Sequence, residues 1–289
     1  SSLSSNKGYG FSVWINQTTI DRAEYLPVNQ TTVIEYSRIV RNLEVGVLHG
    51  NYCGDFWVNI TGNLFNESLS NGIDIQTCWF DRQDDQKLRL QIGHNRFENS
   101  AKIGIIISPA LNIDGVIEHN HFYFGKFGSI LIRNDQFVEF YDLFRTLPAK
   151  FLVQQNFFMR NKGVFVASLG LNSYTDRNIH SILFTKNFVQ NNKIQEPFGK
   201  HDGEDQPTGG EGRNGEGRLN PRSRVAAPIV ISSSNVDIYR NIIYNRDSSY
   251  EIGSQVSDQS QILNCTYNWL GSKDEEKIYE RLFHRKDRY

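Results

Sequence analysis

Apolar and polar residues alternate along this chain in short runs, and the runs recur as one phrase. Residues 90–133 state it twice, first as LQIGHNRFENSAKIGIIIS and then as GVIEHNHFYFGKFGSILIR. Each copy has a period-two apolar run, an Asn, an apolar residue two places on, a polar turn, a Gly and a second alternating run. Asn95 corresponds to Asn120, Phe97 to Phe122, Gly104 to Gly128, and Ile105 with Ile107 to Ile130 with Ile132. The phrase returns at Asn63-Phe65-Gly72-Ile73-Ile75, at Asn156-Phe158-Gly163-Phe165, at Asn187-Val189 and at Asn241-Ile243, with a reduced copy at Asn268-Leu270. From Asn63 onward the Asn spacings are 32, 25, 36, 31, 54 and 27 residues. Runs of period two that are rich in Val, Ile and Phe are strands, and their recurrence makes the chain a solenoid. The expected fold is therefore all-β: a right-handed parallel β-helix of about eight coils, with apolar side chains stacked rung over rung inside. Asn63, Asn95, Asn120, Asn156, Asn187 and Asn241 are expected along one corner. Asn tolerates the left-handed conformation of a sharp turn, and its amide can reach the Asn of the next rung.

Two stretches leave this pattern, and neither ends the domain. Residues 199–224 are almost free of apolar side chains and dense in Gly and mixed charge, which predicts a flexible loop extruded from one coil and explains the 54-residue interval. Residues 134–150 insert Phe137, Phe140, Tyr141 and Phe144 at near-helical spacing, as a short amphipathic helix would. Near the end the period itself changes. In KDEEKIYERLFHRKDRY an acidic first turn precedes Ile278, Leu282 and Phe283 on one helical face, so residues 272–289 are expected to form a short capping helix over the open end of the stack. Residues 1–289 are thus read as a single β-helix domain.

Charge narrows the function classes. With 31 basic and 32 acidic residues the formal net charge is -1, so no global field recommends nucleic acid or an anionic membrane surface. No run of 18 apolar residues crosses a bilayer within these boundaries. The opening SSLSSNKGYG lacks Met and any signal-like apolar region, which reads as a processed chain or an excised piece. Five sequons, at Asn16, Asn29, Asn59, Asn66 and Asn264, predict an extracellular glycoprotein. Cys53 and Cys78 are separated by about one coil and could form a disulfide, leaving Cys265 over; two buried thiols are the alternative.

Candidate chemistry is sparse. Asp81, Asp84 and Asp85 share one polar loop rather than facing strands of successive rungs, and are read as a solvated turn. His94 and His119 each precede a corner Asn and should be neighbours in the stack. Gly62, Gln155, Lys186, Arg240 and Tyr267 stand at the same phase in other coils, so this is a polar column rather than a metal pair or general base. No catalytic, metal or cofactor residues are assigned. The rival class is a polysaccharide lyase or glycoside hydrolase of the pectin lyase kind. It would need Asp, or Asp with Arg or Lys, on adjacent rungs, whereas GIIIS, GSILIR and GVFVAS offer mainly Ile, Ser, Leu and Val.

The ending NWLGSKDEEKIYERLFHRKDR, with Asn268-Trp269-Leu270-Gly271 before a polar helix, resembles the extracellular β-helix region of the bark beetle (Anakonda) family of insect proteins, as do the two repeats of residues 90–133. The resemblance covers residues 34–289 and departs from the family at the Gly-rich loop. It implies a non-enzymatic adhesion or assembly module in the ectodomain of a single-pass plasma-membrane protein that organises tricellular junctions. Its partners would be proteins at cell–cell contacts, homophilic or other junction proteins, with no nucleic acid and no membrane contact by this region itself.

Overall fold

The computed structural model describes residues 2–4, 12–14, 30–42, 47–52, 56–77, 87–108, 110–134, 148–171, 180–195, 226–256 and 261–284. Nearly all strand pairing among them is parallel and joins each strand to one a full coil away, which is a parallel β-helix. Three long sheets run the length of the stack. One holds eight short strands, including Leu64–Asn66, Arg96–Glu98, His121–Tyr123, Phe157–Met159, Phe188–Gln190 and Ile242–Tyr244. A nine-stranded sheet contains Ile73–Thr77, Ile103–Ile107, Gly128–Arg133, Ala167–Gly170, Ile229–Ile231 and Ile252–Ser254. The third has seven strands, among them Phe56–Thr61, Leu88–Gly93, Ile113–Glu118, Ala149–Gln154 and His180–Thr185.

Alternation decides which side chains go inside. In Ile113–Glu118 the burial follows the sequence residue by residue: Ile113, Gly115 and Ile117 in, Asp114, Val116 and Glu118 out. Parallel pairing in register then stacks like on like. Phe97 pairs with Phe65 and Phe122, and Phe122 with Phe158, so four rings pile through the core with centroids 4.5, 4.7 and 4.8 Å apart. Gly72 makes room for this pile, because a Cβ there would lie 3.0 Å from the Phe97 ring and 2.6 Å from the Gly104 carbonyl oxygen.

The repeat alignment holds at Ile105 with Ile130 and at Ile107 with Ile132, yet Gly128 pairs with Ile103 rather than standing opposite Gly104. The offset between these two coils is 25 residues throughout, from Arg96–His121 to Ile107–Ile132, so the Gly moves by one place in the sequence while the register does not change. At the C-terminus the helix is shorter than expected. Among the described residues of the cap only Glu275–Tyr279 is helical, with Asp274 as N-cap, and Leu282–His284 leaves the helical phase to become the last strand of the nine-stranded sheet. Phe283 is buried there beside Tyr250, since a strand that continues the stack satisfies the Ile252–Ser254 edge where a helix could not. The amphipathic segment expected around Phe137–Phe144, the Gly-rich loop 199–224 and residues 285–289 lie outside the described residues.

Candidate functional site

The corner Asn residues form an unbroken ladder. Asn63, Asn95, Asn120, Asn156, Asn187 and Asn241 each donate both the backbone N–H and Nδ2 to the Oδ1 of the next Asn, ending on Asn268, at 2.8–3.1 Å. Each Nδ2 also donates back to a strand carbonyl oxygen of the preceding rung, as Asn120 does to Ile92 at 2.9 Å. The left-handed turn, however, is made by the residue before the Asn. Gly62, His94, His119, Gln155, Lys186, Arg240 and Tyr267 all have φ between +54° and +70°.

A second ladder stands at the next corner. Asn161 donates to Asn192 and Asn192 to Asn245 at 2.8–3.0 Å, again after left-handed residues, here Arg160 and Asn191. It ends on a carboxylate: Glu251, fully buried, accepts from the Asn245 N–H at 2.6 Å and from its Nδ2 at 2.7 Å. Arg281 pairs with Glu251 and donates to the carbonyl oxygens of Ser248 and Asn245. Burial pushes the Glu251 carboxyl above its usual range, against the pull of Asn245 and Arg281. Sequence reading missed this ladder because its earlier coils carry Ser68, Ser100 and Gly125 at the same corner.

His94 and His119 stack as expected, with ring centroids 4.8 Å apart. Glu118 lies beside them. The Gln154 amide, with Gln91 and the two His rings, holds its carboxyl below the usual range despite the opposing effect of burial. Among the described residues, no group of three or more His, Cys, Asp or Glu could hold a metal ion.

One charged column lies on a different sheet from the GIIIS and GSILIR strands. On the seven-stranded sheet Arg89, Asp114 and Lys150 occupy one outward position of three adjacent rungs, and Lys87 forms an ion pair with Asp114. Asp114 and Glu118 are four residues apart on one strand, roughly 13 Å at about 3.3 Å per residue. That exceeds the carboxyl separation of about 5 to 9.5 Å in retaining and inverting glycosidases. Asp114 is thus a carboxylate among cations, and Glu118 accepts from two amides.

Two sequons are visible in detail. Thr61 Oγ1 donates to Asn59 Oδ1 at 2.5 Å and Thr266 Oγ1 to Asn264 Oδ1 at 2.8 Å, so both Asn side chains face outward with their hydroxyl partners. At Asn66 the third residue, Ser68, is buried, while Asn66 accepts from Asn99. Asn16, Asn29, Cys53, Cys78, Asp81, Asp84 and Asp85 lie outside the described residues, and no disulfide occurs among the residues described; Cys265 is a free thiol whose burial pushes its pKa up to about 11.

No family model matches the chain, and no solved structure does. Protein bark beetle of Drosophila melanogaster is 54% identical over 280 residues, 96% of this chain. The chain belongs to the bark beetle family. The matched region is 9% of the length of that relative, so the chain spans only a small part of the bark beetle protein. A match of this extent takes in the whole stack of coils rather than a single repeat, and it agrees with the bark beetle resemblance carried by the NWLG ending and the paired repeats.

Proposed function

We propose that this region is a non-enzymatic extracellular adhesion or assembly module of a membrane-anchored protein at cell junctions, as the family resemblance implies for tricellular contacts of epithelia. The observation that carries the reading is the 54% identity across the stack to a bark beetle protein. The outward sequon geometry at Asn59 and Asn264 supports an extracellular, glycosylated surface. A disulfide between Cys53 and Cys78 belongs to the same reading. The non-enzymatic part is supported by the spacing of Asp114 from Glu118 and by the ion pair that occupies Asp114. Partners are proteins at the opposing or neighbouring membrane, either further copies or other junction proteins. The test is the solution mass of the glycosylated domain over a concentration series, with aggregation of beads coated with the full ectodomain. Clustering of coated beads with one another, or with beads carrying junction proteins, is expected. A monomeric domain on beads that cluster with neither removes the reading.

A further inference from the structure

The outer surface of the sheet of short strands differs from the other two. From the His121 rung to the end of the stack its first outward column reads His121, Phe157, Phe188, Ile242, Trp269, each paired with the next. His121 stacks on Phe157 with centroids 4.9 Å apart, and Phe157 lies 5.8 Å from Phe188. Phe157 is 38% exposed, Ile242 41% and Trp269 42%. The second outward column reads Tyr123, Met159, Gln190 and Tyr244. Cations line both margins. At the Asn63–Asn268 corner stand Lys186 and Arg240. At the other corner stand Arg160 and a column of Lys126, Lys162 and Lys193, the last two paired rung to rung. All six side chains are exposed, and among the described residues none forms an ion pair with a carboxylate.

We propose that this strip binds a linear anionic polysaccharide, independently of whether the module is adhesive. Its dimensions choose the ligand. Three-residue strands are roughly 10 Å wide at about 3.3 Å per residue, and five rungs spaced about 4.8 Å span roughly 19 Å. The resulting area, roughly 200 Å², is far below the ~800 Å² per partner of a standard protein–protein interface, but it accommodates one extended chain. A second copy docking by a two-fold through the same face would bring basic margin against basic margin. An extended peptide laid across side chains would leave its backbone N–H and C=O groups without a sheet edge to pair with. A pyranose ring has the complementary distribution: its C–H face stacks on aromatic rings, while hydroxyl, carboxylate and sulfate groups point sideways to the Lys and Arg margins.

The test is titration of the intact domain with a heparin-derived oligosaccharide about as long as the strip, read by Trp269 fluorescence and calorimetry. Polyglutamate and an uncharged glucan of similar length serve as comparisons. The oligosaccharide is expected to bind in a salt-dependent manner, and Phe157→Ser and the double change Lys162→Glu with Lys193→Glu should each weaken it about tenfold or more. Lys150→Glu, on the seven-stranded sheet, should leave binding unchanged and shows that loss of any cation is not sufficient. Equal binding of polyglutamate overturns the proposal in favour of an acidic polypeptide. Equal binding of the glucan, or insensitivity to Phe157→Ser in a variant that retains the wild-type circular dichroism, overturns it outright. Bead clustering that persists in the Lys162→Glu, Lys193→Glu variant leaves the adhesion reading standing whichever way this result falls.

Discussion

At each corner two neighbouring residues divide the work, one taking the left-handed backbone and the other closing the hydrogen bonds. The recurring Asn was legible in the sequence as the corner marker, but reading it alone gave it both jobs, because Asn is suited to both. The left-handed position was obscured by its variety, since it accepts Tyr, His, Gln, Lys and Arg. The two roles predict opposite outcomes. Asn120→Ala leaves the Asn95 N–H without an acceptor, takes one of the two acceptors of Asn95 Nδ2, and removes the Nδ2 donor from the Ile92 carbonyl oxygen and from Asn156 Oδ1, which keeps only the backbone N–H of residue 120. With about 1 to 3 kcal/mol for each unsatisfied buried group, a loss of about 3 to 5 kcal/mol is expected in urea denaturation. Gln155→Gly relieves a φ of +54° at an exposed position and should raise stability by up to about 1 kcal/mol. A stabilising Asn120→Ala or a strongly destabilising Gln155→Gly would show that the roles have been assigned wrongly.

Strands of period two were legible because each has one buried face, and so was their stacking, since parallel register repeats side-chain identity. The second ladder was not. Three of its rungs are Asn161, Asn192 and Asn245, but Ser68, Ser100 and Gly125 carry the same corner in earlier coils, and no single residue type advertises it. The C-terminal element misled for a different reason: Ile278, Leu282 and Phe283 fit a helical face, while the open edge of Ile252–Ser254 offered a strand more hydrogen bonds than continued helix would have made. That strand brings Arg281 onto Glu251, so cap and ladder stand or fall together. Arg281→Met should cost about 3 to 5 kcal/mol at neutral pH by leaving a buried carboxylate uncompensated. The folded pKa of Glu251 is already raised and rises further in this variant, so the folded state binds the extra proton. Stability of the variant should therefore be greatest near the unfolded pKa of about 4.3 and decline as pH rises through the folded value. A pH series of urea midpoints that is flat, or that slopes upward over this window, would contradict the coupling.

As a whole the molecule is a one-dimensional stack in which each coil contacts mainly the coils before and after it, so local damage should spread only as far as neighbour coupling carries it. The Phe65–Phe97–Phe122–Phe158 pile and the ladder from Asn63 to Asn268 both run along the axis, and they set that distance. Phe122→Ala removes a ring from the middle of the pile and should cost about 3 to 5 kcal/mol. Hydrogen exchange should then quicken on both sides, at Phe97 and Phe158 alike, because both rings lose a stacking partner. Leu270→Ala lies in the last coil described, where it is buried beside Asn268, the last ladder Asn among the described residues. Its exchange effect should be confined to the amides from Val236 onward, with Phe97 and Phe122 keeping wild-type protection. Equal loss of protection at Phe97 in both variants would mean that the stack unfolds as one cooperative unit, and that the axial ladder transmits strain over the whole length of the rod rather than between adjacent rungs.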